Sequence, residues 1–380
     1  MLAIQNATIV KSNYLIPGGL ILTDGKTIIY AGTAQGKTIP ALCETIDAHG
    51  MYVGPGLIDI HTHAGGNDWF YAAPEKAAQV HLAHGTTSVY PACYFNMSKE
   101  EFLQAICVIR SAAQTEAGRI IKGLYMEGPY LNSKFGCEKE SNQWKGPIEQ
   151  SNYIEIVKEA NEFAAFWSVA PEREGILSYI EDVKKVCPNA IFTVAHSEAS
   201  PDEIERLIPY GLKVGTHHTN ATGDRPQYPE CRGVCVDEAV NMNDEIFAEL
   251  IVDSRGIHVD PYMLRLVLKI KGKDRIVLIS DACVFDGPPI PGLEDATDLN
   301  FDFNGDIAGS KLTLDVACRN MMVHTGAGIC DVFRYASKNP ATLLGRTDLG
   351  EVREGAVADL IIVDHWMNVL HVIQEGNRII

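Results

Sequence analysis

Residues 51–63, MYVGPGLIDIHTH, form a continuous apolar run that ends in two histidines, His61 and His63. Such a run, without regular alternation of polar residues, is typical of a parallel strand that is buried on both faces. Seven more runs of this kind follow along the chain: TTSVYPA, IIKGLYME, AAFWSVA, AIFTVA, LKVGT, IFAELIV and RIVLIS. Helical patterns lie between most of them, so the chain alternates strands and helices. This alternation, with eight strands, predicts an α/β fold of the (β/α)8 TIM barrel type.

The helical patterns are amphipathic. They are PEKAAQVHLAHG, KEEFLQAICVIRSAA, EGILSYIEDVKKVC and PYMLRLVLKIKG. Ser98 and Glu101 have the spacing of a capping box at the start of the second pattern. Residues 221–244 lack a clear helical pattern, and their Gly, Pro and Asp content predicts a long functional loop.

The sequence pattern at both ends of the chain differs from that of the middle. Short alternating runs separated by Gly and Asp occupy residues 2–45 and return near the C-terminus, which is typical of small antiparallel sheets. We therefore expect a small β-sandwich domain built from residues 1–52 and 346–380. The remaining residues, 53–345, would form the barrel.

Composition excludes several classes of function. The 380 residues are 46% hydrophobic, which is enough for a large core, and the formal net charge is −17. This charge and the lack of long Lys or Arg runs argue against a nucleic-acid partner. No segment resembles a signal peptide or a membrane span, so we expect a soluble, cytoplasmic protein without a membrane partner. The ten cysteines should be reduced thiols, and the isolated Cys231–Cys235 pair is interpreted as structural rather than zinc-binding.

Polar side chains occur at the C-terminal ends of the predicted strands, the ends that converge on the active-site face of a TIM barrel. A single histidine at such a place is more often a structural, hydrogen-bonded residue than a metal ligand. Histidines and acids at several strand ends together predict a shared metal site. The residues concerned are His61, His63, Glu127, Glu172, His196, His217, His218, His258 and Asp281.

Imidazole and carboxylate groups suit divalent metals, and an i, i+2 pair at a strand end places both imidazoles on one side. His61 and His63 could share one ion, while Glu127, His196 and His217 could hold a second or bridge to the first. We expect one or two divalent ions, zinc first, with iron, manganese and cobalt also open. Such an ion lowers the pKa of a bound water to about 7.

Asp281, at the end of the last predicted strand, is the natural proton shuttle of this arrangement. It would take a proton from the attacking water and pass it to a leaving amine.

Several motifs, in order along almost the whole chain, resemble the N-acetylglucosamine-6-phosphate deacetylase family of the amidohydrolase superfamily. They are PGLIDIHTHAGGNDWF, MEGPYLN, VAPE, AHSEA, GTHHTNAT, ISDA, AGSKLTLDVACRNMM, NPATLLG and GEVREGAVADLIIVD. Relatives such as dihydroorotases or ureases would need a carboxylatable lysine at the end of strand 4, where this chain has Ala170-Pro171-Glu172. The resemblance implies metal-dependent hydrolysis of an N-acetylated amino sugar phosphate, which releases acetate.

The resemblance also implies roles for individual residues. Glu127, His196 and His217 would bind the catalytic metal, and Asp281 would be the general base and acid. The HxH pair leaves a second metal open to this chain. The resemblance assigns substrate binding to His258, which would help to hold the sugar or amide, and to Asn220 and Ala221, which would contact the phosphate end.

The chain departs from the family pattern in three places. Thr222 and GDRPQYPECRG follow the THxxNA motif, so Arg225 and Arg232 are the candidates for binding the phosphate of a neighbouring subunit's substrate. Glu138 stands where the family has a substrate-binding histidine. Trp144 could line a different pocket, although core packing is the favoured interpretation.

Two other hypotheses remain open beside the deacetylase. One is a divergent amidohydrolase that acts on another N-acyl compound, which Glu138 and the altered loop favour. The other is a non-catalytic metal- or sugar-binding protein, which would leave Asp281 without a purpose. The long loop and the family habit of sharing arginines between subunits predict a homodimer.

Overall fold

The computed structural model of the chain describes residues 1–285 and 287–380, and strands and helices are numbered along it. The first five strands come from the N-terminal end: β1 (Leu2–Val10), β2 (Leu15–Asp24), β3 (Thr27–Thr33), β4 (Glu44–Asp47) and β5 (Tyr52–Pro55). β2 pairs antiparallel with β1 and β3, whereas β4 and β5 pair with β1 in parallel. The expectation of a wholly antiparallel sheet was therefore wrong, because alternation identifies a strand but not the direction of its neighbour.

The eight apolar runs form one sheet of parallel strands, as predicted. Its members are β6 (Leu57–Thr62), β9 (Thr86–Tyr94), β10 (Leu124–Glu127), β11 (Ala164–Val169), β12 (Ile191–Val194), β13 (Leu212–Gly215), β14 (Phe247–Ile251) and β15 (Ile276–Ile279). They lie side by side in that order. Past their ends, Asp281 N donates to His61 O (3.0 Å) and His63 N donates to Ala282 O (2.9 Å), which joins the last strand to the first.

Two short hairpins accompany the barrel strands. The first joins β7 (Ala64–Gly65) to β8 (Asp68–Trp69), directly after β6. The second joins β16 (Leu299–Phe301) to β17 (Ile307–Ser310), after β15. Both therefore follow strands whose ends carry candidate ligands.

Ten α-helices lie among the described residues. They are α1 (Pro74–Ala83), α2 (Lys99–Ala112), α3 (Gln150–Ala160), α4 (Ile176–Val186), α5 (Pro201–Glu205), α6 (Val236–Met242), α7 (Pro261–Lys271), α8 (Leu314–Thr325), α9 (Ile329–Phe333) and α10 (Asn339–Leu343). The four predicted helices are α1, α2, α4 and α7. Single 3-10 turns occupy Lys139–Ser141, Asn161–Phe163 and Ile208–Tyr210, and a π-helical turn occupies Arg334–Lys338.

Helix α6 corrects the prediction of a helix-free loop over residues 221–244. It is seven residues long and buries Val236, Ala239 and Val240, while Glu238 closes a capping arrangement with Cys235. Two turns are too few for a periodic pattern to stand out in sequence, so only the burial of one face reveals the helix.

The chain divides into two compact units, residues 1–59, 80–88 and 313–380, and residues 60–79 and 89–312. The first unit contains β1 to β5 together with β18 (Leu360–Val363), β19 (Val369–Gln374) and β20 (Asn377–Arg378). These strands form one sheet whose core takes residues from both chain ends, among them Leu2, Ile9, Leu360 and Ile373. The predicted sheet from both termini is confirmed, and the boundaries at residues 52 and 346 stay a prediction.

The barrel interior holds a buried layer of hydroxyl groups. Tyr125 Oη lies 3.2 Å from Thr193 Oγ1, 2.8 Å from Thr216 Oγ1 and 3.4 Å from Glu249 Oε2. Tyr125 precedes Glu127 by two residues on β10, so both side chains project to the same face of the strand. Polar groups on the interior of β10, β12, β13 and β14 thus lie in hydrogen-bonding contact with one another.

The ten cysteines are free thiols in the structure. Cys235 is buried, with Sγ 3.4 Å from Ala199 O, while Cys231 is exposed. Among the described residues, no helix combines the length and apolar character that a membrane crossing requires.

The capping box of α2 gives a stability prediction. Ser98 Oγ accepts from Glu101 N (3.2 Å) and Glu101 Oε2 accepts from Ser98 N (2.7 Å). Ser98→Ala should lower the free energy of unfolding by about 1 kcal/mol, because the Glu101 backbone N–H loses its acceptor, Ser98 Oγ. Urea unfolding measures this, with the exposed neighbour Glu100→Gln as control, and equal losses in both variants would contradict the assignment.

Candidate metal centre

The five predicted metal ligands and the predicted proton shuttle, Asp281, meet at the C-terminal end of the barrel strands. His61 lies in β6 and His63 just after it, and Glu127 is the last residue of β10. The remaining three each lie two residues beyond a strand end. All six are buried, with at most 7% of any residue exposed: His61, His63, Glu127, His196, His217 and Asp281.

Glu127 lies at the centre of this cluster, and its two carboxylate oxygens face different histidines. Oε1 is 2.9 Å from His196 Nε2 and 3.2 Å from His217 Nε2. Oε2 is 3.2 Å from His63 Nε2 and 3.9 Å from His61 Nε2. One carboxylate therefore serves two pairs of imidazoles.

Asp281 completes the second half of the cluster. Its Oδ1 lies 3.2 Å from His63 Nε2 and 3.7 Å from His61 Nε2. The six residues thus form two groups of three, His61 with His63 and Asp281, and Glu127 with His196 and His217. Within each group the ligand atoms lie within 4.8 Å of one another.

The donor geometry fits a divalent metal. His196 Nε2 and His217 Nε2 are 3.2 Å apart and both face the same carboxylate oxygen. Metal–nitrogen bonds of roughly 2.0–2.1 Å in a tetrahedral site place neighbouring donors about 3.4 Å apart. The three donors therefore have the spacing of one face of a coordination shell.

Two of the histidines are held in the tautomer that a metal ligand needs. His217 Nδ1 lies 3.1 Å from the carbonyl oxygen of Asn220, and His61 Nδ1 lies 3.3 Å from Glu249 Oε2. When Nδ1 donates its hydrogen in this way, neutral imidazole offers a lone pair at Nε2. Nε2 is the atom that faces Glu127 in both residues.

Glu249 is a functional residue that the sequence interpretation missed. It is fully buried in β14 and contacts both His61 Nδ1 and Tyr125 Oη. An acid inside the apolar run IFAELIV was the available signal, because a buried carboxylate needs hydrogen-bonding or charged partners.

Three of the strand-end residues have backbone angles that side chains rarely adopt. The φ angles are 42° for His196, 29° for His217 and 47° for Asp281. Left-handed backbone in residues other than glycine costs of order 1–3 kcal/mol and is concentrated at functional sites. Three of the six clustered residues therefore have strained backbone.

The carboxylates of the centre are held in their charged form. Burial raises the pKa of Glu127, but hydrogen bonds from His196 and His217 outweigh it and hold that pKa well below its usual value. For Asp281, burial is likewise outweighed by the charges of His61 and His63, so its pKa is lowered. Two buried negative charges among imidazoles form a donor set that attracts a cation.

A cavity of about 280 Å³ opens onto the centre and exposes five of the six residues to its interior. An aromatic wall forms one part of it: Trp69 stacks on Tyr94 with centroids 5.8 Å apart and meets Phe285 edge-on at 5.3 Å. The predicted Asn220 and Ala221 also line this cavity. Lys134 and Lys139, which the sequence interpretation did not single out, line it as well.

The predicted arginines do not line the cavity. Arg225 forms an ion pair with Glu203 at 3.0 Å, and Arg232 forms one with Glu238 at 2.8 Å. The Arg232 side chain is 77% exposed. Their binding of phosphate from a second subunit stays a prediction.

Two further predicted residues, His258 and Glu138, lie beside the cavity rather than in its lining. His258 has Nδ1 3.0 Å from Asp253 Oδ2 and Nε2 3.1 Å from the carbonyl oxygen of Gly309, a lining residue. The Glu138 backbone N–H lies 3.4 Å from Asp302 Oδ2. Their substrate-binding roles stay predictions.

Trp144, Glu172 and His218 have packing or hydrogen-bonding partners outside the cavity. Trp144 is buried, with Nε1 donating to Met97 O at 2.8 Å, which is the core role favoured from the sequence. Glu172 accepts from Ser197 Oγ at 2.7 Å. His218 Nε2 lies 3.1 Å from Asn241 Oδ1.

The amidohydrolase family model matches residues 52–379 of this chain. The chain belongs to the amidohydrolase family. It is 27% identical over 353 residues to the N-acetylglucosamine-6-phosphate deacetylase of Lysinibacillus sphaericus, covering 88% of this chain and 87% of that protein. The match agrees with the barrel and with the ligand-bearing strand ends described above.

Two solved structures are similar along their whole length. The N-acetylglucosamine-6-phosphate deacetylase of Pasteurella multocida has a TM-score of 0.85 and 25% identity, over 100% of this chain and 99% of that one. A mutant of the Mycobacterium smegmatis deacetylase in complex with N-acetyl-D-glucosamine-6-phosphate has a TM-score of 0.81 and 26% identity, over 99% and 98%. The resemblance in the motifs is thereby confirmed, and the family together with the two ligand groups supports a divalent metal.

The shared position of Glu127 gives a prediction about metal binding. Glu127→Ala should abolish tight metal binding in both groups. It removes the Oε1 donor from the group with His196 and His217, and it removes Oε2, which faces His61 and His63, from the other group. The double variant His61→Ala/His63→Ala should lose only the ion that these two histidines bind with Asp281. Titration with Co²⁺, followed by optical absorption and calorimetry, counts the ions, and an unchanged count in Glu127→Ala would contradict the geometry.

Proposed function

We propose that this amidohydrolase removes the acetyl group of N-acetylglucosamine-6-phosphate, giving glucosamine-6-phosphate and acetate. The observation that carries the proposal is the position of Asp281 Oδ1, 3.2 Å from His63 and at the floor of the cavity that Glu127, His196 and His217 also line. The likeness of the whole chain to N-acetylglucosamine-6-phosphate deacetylases, one of them in complex with this sugar phosphate, supports the substrate.

The residues that would hold the metal are Glu127, His196 and His217, with His61, His63 and Asp281 available for a second ion. A bound divalent ion supplies an acidified water and polarises the amide carbonyl. We propose two ions, zinc first, with iron, manganese or cobalt as the other choices that these ligands allow.

Asp281 moves the proton in this reaction. Its carboxylate accepts the proton of the attacking water as the oxygen adds to the carbonyl carbon. The same proton then passes from Asp281 to the amide nitrogen as the C–N bond breaks, so the amine leaves neutral rather than as an anion. Asp281 Oδ1 lies 3.2 Å from His63 Nε2 and Asp281 lines the cavity, so its carboxylate is placed to act as this base.

Acetate release tests this function. Purified, metal-loaded protein should release acetate from N-acetylglucosamine-6-phosphate, and Asp281→Asn should lower kcat by about 10²- to 10⁴-fold while the ion of the Glu127 group is retained. Asp306→Asn is the matched control, since Asp306 lines the cavity but belongs to neither ligand group. A full-rate Asp281→Asn variant would overturn the assigned role.

A second candidate is hydrolysis of another N-acyl compound. The aromatic wall of Trp69, Tyr94 and Phe285 favours it, because an apolar surface next to His63 could accept an acyl group larger than acetyl. Inactivity on acetylated sugar phosphates together with turnover of another amide would select this alternative. Tight sugar binding without turnover of any acylated amine would instead select a non-catalytic binding protein.

We further propose a cytoplasmic homodimer. Free thiols at all ten cysteines agree with a reducing compartment. Helices α6 and α7 carry exposed apolar side chains beside a groove of about 640 Å³, including Met242 at 83%, Ile270 at 47% and Leu266 at 39% exposure. A contiguous exposed apolar surface of this kind suits burial against a second copy of the same surface better than contact with solvent.

The dimer prediction is checked by sedimentation equilibrium. Wild type should sediment as a dimer, and Met242→Asp combined with Leu266→Asp should shift the protein toward the monomer by placing charge in the apolar face. Val323→Asp, at an exposed position on α8, is the control and should leave the dimer intact. A monomeric wild type would remove the proposal.

A further inference from the structure

We infer that Lys134 and Lys139 bind the phosphate of the substrate from within the same chain. The inference rests on the proposed function, since it requires a phosphate monoester as ligand. It assigns the phosphate to two lysines of the segment 131–146, between β10 and α3, and not to Arg225 or Arg232.

Charge is divided unevenly in the cavity. Among the described residues that line it, Lys134 and Lys139 are the only Lys or Arg side chains, while Glu127, Asp281 and Asp306 are acids. A phosphate dianion entering a protein of net charge −17 needs local cations to offset the repulsion. Within the described lining, these two ammonium groups are the ones that can offset it.

Most of the charge is arranged by depth. Glu127 and Asp281 are buried at 4% and 7% exposure and form the floor with the other candidate metal ligands. Both lysines are exposed and lie at the rim, where the exposed Asp306 is the one acid of the described lining. A substrate with an amide at one end and a phosphate at the other can therefore place its amide at the candidate metal centre and its phosphate against the lysines.

The start of the lysine segment is anchored to the barrel. Asn132 N donates to the carbonyl oxygen of His196 at 3.0 Å, and Asn132 Oδ1 accepts from Lys134 N at 3.0 Å. Arg173 donates to the carbonyl oxygen of Leu131 at 2.8 Å. Lys134 is thus fixed two residues from a backbone hydrogen bond to a candidate metal ligand.

The remainder of the segment is held as firmly. Asn96 Nδ2 lies 3.4 Å from the Glu138 carbonyl oxygen, and Arg173 donates to the carbonyl oxygen of Gly146 at 2.6 Å. The buried Trp144 donates to Met97 O at 2.8 Å. Because contacts fix the backbone on both sides of Lys139, its side chain starts from a defined position at the rim.

The segment abuts the loop that follows β13, which also lines the cavity. A Cβ added to Gly223 would lie 3.4 Å from Phe135 Cζ, so the Phe135 ring packs against the Gly223 backbone. Asn220, in the same loop, adds an amide to the cavity wall. The cavity lining therefore contains, besides the two lysines, a neutral amide that suits phosphate oxygens.

Existing ion pairs leave the lysines available. Lys134 pairs with Glu198 at 2.5 Å, but its side chain is 65% exposed, and such a pair contributes only about 0–1 kcal/mol. Among the described residues, no acid forms an ion pair with Lys139. A phosphate dianion can therefore bind both ammonium groups with only a small loss of free energy from existing ion pairs.

Kinetics on two sugars test the inference. Lys134→Ala/Lys139→Ala should raise KM for N-acetylglucosamine-6-phosphate at least tenfold. The loss of a single hydrogen bond to a charged group already weakens binding by about tenfold or more. The kcat of this double variant for the sugar phosphate, and its kcat/KM for unphosphorylated N-acetylglucosamine, should stay at wild-type values. Lys145→Ala is the matched control, because Lys145 lies on the same segment, pairs with Glu140 and does not line the cavity.

The outcomes separate this inference from the proposed function. An equal KM in wild type and the double variant overturns the lysine assignment while the activity stands. If wild type releases no acetate from either sugar, the proposed function fails, and calorimetry with glucose 6-phosphate still decides the inference. Binding that is at least tenfold weaker in the double variant supports it, and equal binding, or none in wild type, overturns it.

Discussion

The contact on which the site depends is the one between the Glu127 carboxylate and four imidazoles. Oε1 lies against His196 and His217, and Oε2 lies against His63 and His61, so a single side chain links residues from four strand ends. Such a charge can be buried only if cations or hydrogen-bond donors surround it. The barrel brings these groups together because its parallel strands all end on one face.

The layer beneath that contact supports it. Tyr125 lies two residues before Glu127, stacks on the His61 ring at 4.1 Å and approaches Glu249 with its hydroxyl. Glu249 in turn accepts from His61 Nδ1. Ligand orientation is thus set by buried polar groups of the strands themselves, which are stiffer supports than loops. Glu127 and Asp281 lie at the floor of the cavity, whereas Lys134 and Lys139, for which we propose phosphate binding, lie at its rim.

The sequence predicted the eight barrel strands and the six clustered residues, because strand burial and strand-end position are local patterns. It did not predict Glu249, whose importance comes from a contact with His61 188 residues away. Nor did it predict the ion pairs of Arg225 and Arg232, whose partners are Glu203, 22 residues away, and Glu238, 6 residues away. Side-chain partners across a fold are set by tertiary packing, and no local pattern encodes them.

Helix α6 and the lysine segment 131–146 also could not be predicted from local sequence patterns. Both are short or irregular, and each is held by contacts with distant parts of the barrel unit, such as those of Arg173 with Leu131 and Gly146. Periodicity cannot reveal elements that depend on such contacts. The motifs nevertheless predicted which residues the structure brings together, because the candidate ligands lie at the ends of strands that have clear apolar runs.

Anomalous X-ray diffraction at the zinc edge, on crystals of the zinc-loaded protein, tests the central role of Glu127 most directly. Two peaks are expected, one about 2.0–2.2 Å from Glu127 Oε1, His196 Nε2 and His217 Nε2, and the other among Glu127 Oε2, His61, His63 and Asp281. Peaks only at other residues, or full zinc occupancy with Glu127 outside coordination distance, would contradict the account.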